Sequence, residues 1–213
     1  MKKVLILINS SGGLCDFRGE FVEALCAKYE VWVSMPDDVK ERELVDMGCH
    51  IIKTPINRRG INPLEDLKLY RAYGKIMKDL RPSLVVTYTI KPNIYGGFAA
   101  GARKIPYIAT ITGLGGAFDR TGVLLKLIVG MYRAGLKRAS CVFFQNEENR
   151  GIFQKMGITA KKTRMVMGSG VSLEKHTYEP YPAREKTHFL FVGRVMKERG
   201  ILEYIEAAKR LHS

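Results

Sequence analysis

One pattern constrains this 213-residue chain more than any other: short apolar runs alternate with polar or glycine-bearing turns and amphipathic stretches. The runs are VLILIN (4–9), EVWVSM (30–35), HIIKTP (50–55), SLVVTYT (83–89), PYIATIT (106–112) and SCVFFQN (140–146). A strand with one wet face alternates apolar and polar residues. The leading runs here do not, so both of their faces must be covered, as in a parallel sheet with helices on each side. The segments between them, such as VKERELVDMG and EENRGIFQKMG, read as helices. Strand–helix alternation at this density predicts a doubly wound parallel α/β sheet, with ligands gathered at the carboxyl ends of its strands.

The punctuation refines this. SSGG after the first run predicts a tight turn, followed by a helix with Phe17, Phe21 and Leu25 on one stripe. Asn62 followed by Pro63 marks a helix start, and the helix stops before Pro82. Leu64, Leu67, Tyr70, Ile76 and Leu80 are expected on its core face. From about residue 160 to 187 the periodicity fades and Pro and charge increase, as in an interdomain connection. HFLFVGRVMKERGILEYIEAAKRL then reads as the strand, turn and helix of a new unit. The expected division is a domain over 1–165, a connection over 166–187 and the start of a second domain over 188–213.

Thirty-five Lys and Arg against 21 Asp and Glu give a net charge of +14. That sign favours anionic partners such as pyrophosphates or anionic lipid headgroups. Nucleic acid is not expected, because the basic residues are scattered rather than interleaved with aromatics on one platform. The four cysteines (Cys15, Cys26, Cys49, Cys141) form no C-x-x-C pair and read as reduced thiols of a cytoplasmic protein. The basic opening MKK precedes too short an apolar run for a secretory signal, and no run reaches a membrane-spanning length. The four histidines have no ligand spacing and there is no D-x-D, so no metal is expected. Neither G-x-G-x-x-G nor a P-loop occurs, which disfavours a dinucleotide oxidoreductase or a phosphate-loop enzyme; G-x-S-x-G is missing too.

The candidate site residues sit where strands end. Gly12 and Gly13 place a glycine pair at the mouth of the first strand, where free backbone N–H groups favour an anion or a sugar hydroxyl. Lys91 and Asn93 follow the fourth strand and are expected to meet an anionic or hydroxylated substrate. Thr112 and Gly113 open a long glycine-rich loop after the fifth strand, and two such loops on one sheet edge make a cleft. Glu147, just past the sixth strand, is either a substrate contact or a first-turn acid favoured by the helix dipole. The stretch GVLLKLIVGMYRAGLKR is apolar with Lys126, Arg133, Lys137 and Arg138 added; it reads as a buried crossover helix or a membrane-surface helix.

Taken together, INPLEDLKLY, TIKPNIYGGFAA, IPYIATITGLGGAF, VFFQNEENR, MVMGSGVSLEKH and FLFVGRVMKERGI resemble the retaining glycosyltransferases of family 4. Those enzymes have two facing Rossmann-like domains, the GT-B architecture. The nearest likeness is to those that build glycans on an undecaprenyl-pyrophosphate carrier. The resemblance implies an acceptor site on the N-terminal domain, a nucleotide-sugar donor held mostly by the C-terminal one, and transfer without metal. It also implies that Arg194 and Arg199 neutralise the donor pyrophosphate, although the family has lysine where Arg199 stands. Thr112 replaces a histidine found in many members. Glu198 and Glu206 have the E-x7-E spacing of the donor-binding motif without its glycine-rich context, and are assigned to a solvated face. The expectation is therefore the N-terminal part of a glycosyltransferase, with little or no transfer from the chain alone. A stand-alone acceptor or membrane-surface module that pairs with a separate donor domain is the alternative. A sugar-nucleotide epimerase fragment ranks below both.

Overall fold

The sheet has seven parallel strands: β1 (Lys3–Leu7), β2 (Glu30–Met35), β3 (His50–Lys53), β4 (Leu84–Tyr88), β5 (Tyr107–Ile111), β6 (Cys141–Phe144) and β7 (Thr163–Met165). Their order is β3-β2-β1-β4-β5-β6-β7. The computed structural model describes residues 1–58, 60, 62–114, 118, 122–174, 176–182, 186–193 and 195–212. They form two units, Met1–Val171 and Ser172–Ser213.

Burial of β1 on both faces explains its unbroken apolar run. Leu5 and Leu7 face one core, while Val4, Ile6 and Ile8 face the other. Each such side chain contributes about 1.5–3 kcal/mol of burial. Helices α1 (Ser11–Cys26) and α2 (Glu41–Asp46) cover one face through Leu14, Val22 and Leu44. The other face is covered by α3 (Pro63–Leu80), α4 (Gly97–Ala102), α5 (Gly122–Leu136) and α6 (Glu147–Lys155). A π-helical turn, Pro92–Gly96, leads into α4. Asn62 caps α3 by accepting from the Leu64 N–H, with Pro63 in the first turn, as the sequence predicts.

Five expectations change. SSGG is no separate turn: Ser10 caps α1 and the glycines lie in its first turn. The core stripe of α1 is Leu14, Gly19 and Val22, leaving Phe17 and Phe21 58% and 43% exposed. Arg18 departs from helical geometry (φ −147°, ψ 16°), which breaks the register on which the Phe17–Phe21–Leu25 stripe depends. On α3 the buried residues are Leu69, Tyr73, Gly74 and Met77, while Leu64 and Leu67 are exposed. Fourth, β7 pairs with β6 at the end of the expected first domain, where the periodicity fades and no strand is expected; its short, charged sequence TRM suits an edge strand with no periodicity to detect. Last, residues 188–193 form no strand. Phe189, Leu190 and Val192 are exposed, and no neighbouring strand takes their backbone groups among the described residues. A 3₁₀ turn (Lys197–Arg199) and α7 (Ile201–His212) do follow.

The helices of the second face do not stand at equal height. Gly97 of α4 meets Gly135 of α5 backbone to backbone: a Cβ on Gly97 would fall closer to the Gly135 carbonyl oxygen than the 3.0 Å that real side chains respect. The same carbonyl accepts a hydrogen bond from buried Tyr107 (2.6 Å). Small residues thus let α4 sink toward the sheet between α3 and α5.

Candidate functional site

The chain leaves β1 toward β2 and β3 on one side, and returns to β4 and β5 on the other. The carboxyl ends of β1 and β4 therefore border the crevice where α/β sheets take ligands. On the β1 side, the Ser10 hydroxyl accepts from the Gly13 N–H (3.4 Å). Buried Ser11 donates from its backbone (3.1 Å) and its hydroxyl to Asp37, beyond β2, and its hydroxyl accepts from the Lys40 N–H (3.0 Å). Asp37 is also paired with Arg58 (2.5 Å). Gly12 and Gly13 are thereby held at the crevice with their Cα atoms bare, and a Cβ at either would meet nothing closer than 3.6 Å. No packing constraint requires them to be glycine.

From the β4 side, Tyr88 is buried, and the Arg18 guanidinium lies over its ring at 4.4 Å from the centroid. Arg18 also donates to the Gly13 carbonyl (3.3 Å). Burial pushes the Tyr88 phenol up, and neighbouring Arg18 and Thr110 moderate the rise. Burial lowers the Arg18 pKa, with Tyr88 opposing it. Thr89, the next residue, has a left-handed backbone (φ 73°), and its buried hydroxyl has no hydrogen-bond partner among the described residues. A strained non-glycine residue with an orphaned hydroxyl is a signature of functional positions.

Lys91 and Asn93 lie near this crevice, but other groups already engage them. Lys91 forms an ion pair with Asp66 of α3 (2.6 Å), both side chains only 14% exposed. Asn93, 1% exposed, accepts from the Thr87 hydroxyl (2.6 Å) and donates to the Thr110 carbonyl (3.0 Å). It ties β4 to β5 and braces the crevice from below. Thr112 is exposed and Gly113 half-buried just past β5. Glu147 opens α6, is exposed and pairs with Arg150 (3.2 Å), one turn on; Asn146 caps the helix. This is the arrangement of a first-turn acid. Arg199 is exposed at the end of the 3₁₀ turn of the second unit, and Arg194 lies outside the described residues.

Arg18, Tyr88, Thr89 and Asp66 were not singled out from the sequence. Tyr88 and Thr89 could have been, as polar residues ending an apolar run. Arg18 looks like an ordinary solvated helix position until the helix breaks there.

Above sunken α4 lies an apolar trough of about 770 Å³, walled by α3 and α5 and lined by residues including Leu67, Tyr70, Phe98, Leu127 and Met131. On α5, Val123, Leu127, Met131 and Ala134 form one stripe, with Lys126 and Arg133 beside it and Lys137 just past the helix end. Val123 and Leu127 are exposed, as are Leu64 and Leu67 across the trough. All four cysteines are free. No three His, Cys, Asp or Glu side chains cluster as metal ligands, and no helix is long and apolar enough to cross a membrane, among the described residues.

Residues 3–146 match the model of the Glycosyl transferase 4-like family, and the chain belongs to that family. It is similar to N,N'-diacetylbacillosaminyl-diphospho-undecaprenol alpha-1,3-N-acetylgalactosaminyltransferase of Campylobacter jejuni, with 26% identity over 98% of this chain and 60% of the relative. The chain thus spans about three fifths of that relative's length. Among solved structures, the fold matches Anabaena HepE in complex with UDP and glucose (TM-score 0.61, 16% identity, 84% of this chain and 48% of that one). It also matches a sucrose-phosphate synthase from Thermosynechococcus elongatus (TM-score 0.57, 13% identity, 82% and 49%). The sheet and its helices are those of the glycosyltransferase fold with paired Rossmann-like domains.

Proposed function

We propose that this chain supplies the acceptor-binding side of a retaining, metal-independent glycosyltransferase. The enzyme moves a sugar from a nucleotide-sugar donor to a lipid-linked, pyrophosphate-bearing acceptor during cell-surface polysaccharide synthesis. The reaction takes place in the cytoplasm, at the membrane face. The observation that carries the reading is the trough: an apolar channel flanked by a basic helix stripe suits a molecule that is hydrocarbon at one end and anionic at the other. The Campylobacter relative, whose name specifies a diphospho-undecaprenol substrate, supports the same chemistry.

In this reading α5 rests on an anionic bilayer, with Val123 and Leu127 dipping into it and Lys126 and Lys137 meeting headgroups. The crevice between β1 and β4 receives the reacting end of the acceptor, near Gly12, Gly13, Thr112 and Gly113. Arg194 and Arg199 neutralise the departing donor diphosphate, the electrostatic task that a metal performs elsewhere.

The test is flotation with vesicles of 30% anionic lipid, with and without a polyprenyl-pyrophosphate-linked saccharide. Binding should fall at least about tenfold in Leu127→Asp, and should fall as salt rises. Salt-insensitive binding, or binding unaffected by Leu127→Asp, overturns the lipid assignment. Transfer in the presence of a chelator, with the anomeric configuration of the product read by NMR, tests metal independence and retention.

A further inference from the structure

We propose that Arg18 is a diphosphate-binding residue at the floor of the β1–β4 crevice. The inference rests on the glycosyltransferase reading and adds to it a residue and the chemical group it holds.

Charge accounting in the crevice makes the case. Three carboxylates of the surrounding elements are already engaged: Asp37 by Arg58 and Ser11, Asp66 by Lys91, and Asp16 by Lys40 (3.6 Å). Arg18 has no carboxylate partner among the described residues. Its protein contacts are the ring and hydroxyl of Tyr88 and one carbonyl oxygen, all of them neutral. A half-buried guanidinium lacking a counter-ion is costly unless something anionic completes it.

The stack on Tyr88 fixes the plane of the guanidinium, and the bond to Gly13 takes a donor on one of its nitrogens. Beyond the bonds to Gly13 and to the Tyr88 hydroxyl the fork keeps further N–H donors, and a planar fork suits the paired oxygens of a phosphate. Two further features frame the space. Gly12 and Gly13 present bare backbone where protein packing would tolerate a side chain, leaving room for a ligand to approach. The orphaned Thr89 hydroxyl, held in a strained backbone, follows directly on the tyrosine that carries Arg18. The break in α1 at Arg18 lies between these parts, where an unbroken helix would direct that side chain differently.

The diphosphate has two possible sources, the lipid-linked acceptor or the nucleotide-sugar donor. Calorimetric titration of the 213-residue chain with geranyl pyrophosphate, UDP and inorganic pyrophosphate separates them. Arg18→Gln should weaken binding by about tenfold or more. Lys75→Gln, an equal charge change on an exposed α3 residue, should leave it within about twofold. Selective loss for geranyl pyrophosphate identifies the acceptor, and selective loss for UDP the donor. Arg18→Lys keeps the charge without the fork; it should melt with the wild type yet bind several-fold more weakly, which covers the case of an unfolded glutamine variant. Wild-type binding that both Arg18 variants retain overturns this inference and leaves the glycosyltransferase reading standing. A wild-type chain that binds none of the three ligands overturns both.

Discussion

Replacing Gly97 with alanine should destabilise the protein far more than adding one methyl group to a helix ordinarily does. In a helix interior the change gains about 1 kcal/mol of propensity. Here the new Cβ would collide with the Gly135 carbonyl oxygen, which is backbone and cannot rotate away. To relieve the clash, α4 and the π-helical turn must move off α5 by roughly 1 Å, an overpacking cost of about 1–3 kcal/mol. That shift also disturbs the bond from buried Tyr107 to the same oxygen (2.6 Å), leaving a phenol unsatisfied at about 1–3 kcal/mol.

The net expectation is a loss of about 2–4 kcal/mol, or roughly 5–15 °C in Tm at this chain length. Gly130→Ala on the same α5 is the matched control, because its Cβ would meet nothing within 4 Å. It should gain about 0.5–1 kcal/mol. Urea and thermal unfolding followed by circular dichroism compare the two variants. If Gly97→Ala is as stable as the wild type, or shifts in the same direction as Gly130→Ala, then backbone contact does not seat α4. The explanation of the trough fails with it.

Lys91→Ala should cost about 2–4 kcal/mol in urea unfolding, because it strands Asp66 in a nearly dry setting; Lys91→Met combined with Asp66→Asn should recover most of the loss. Additive losses in the double variant would refute the pairing. Alkaline pH should unfold the chain through its buried tyrosines. Burial pushes Tyr107 up to about 12 and raises Tyr73, Tyr95 and Tyr132 as well, against an unfolded value of about 10. Their folded pKa values are raised, so the stability they contribute is complete below about pH 10 and is lost as pH climbs through the folded values. Tyrosinate absorbance should therefore appear in two steps, the second coinciding with loss of ellipticity; a single step near pH 10 with the fold intact would refute this.

The fold was legible because burial on both faces writes itself into composition. VLILIN followed by glycines reads as a central strand, and Asn62–Pro63 before a 3.6-residue periodicity reads as a helix start, as both prove to be. What escaped depended on neighbours: TRM becomes a strand because β6 offers it an edge, while FLFV does not because no described strand lies beside it. The α1 stripe was misplaced for a related reason. A periodicity argument assumes an unbroken helix, and this one breaks at Arg18.

Which candidate charges are free and which are paired was not legible in the sequence, and the reason is electrostatic. Sequence reading ranks charged residues near strand ends as ligand contacts, which brought forward Lys91 and Glu147. Whether a charge is available, however, depends on what faces it across the fold. Asp66 lies 25 positions from Lys91 and neutralises it, and Arg150 pairs with Glu147. Arg18 reverses the case: an unremarkable helix cation in the sequence lies over the Tyr88 ring, with no carboxylate partner among the described residues. A charge is functional here by default of a partner, and that default is a property of three dimensions. In a chain with 35 basic residues, the informative cation is the partly buried one whose charge no carboxylate cancels.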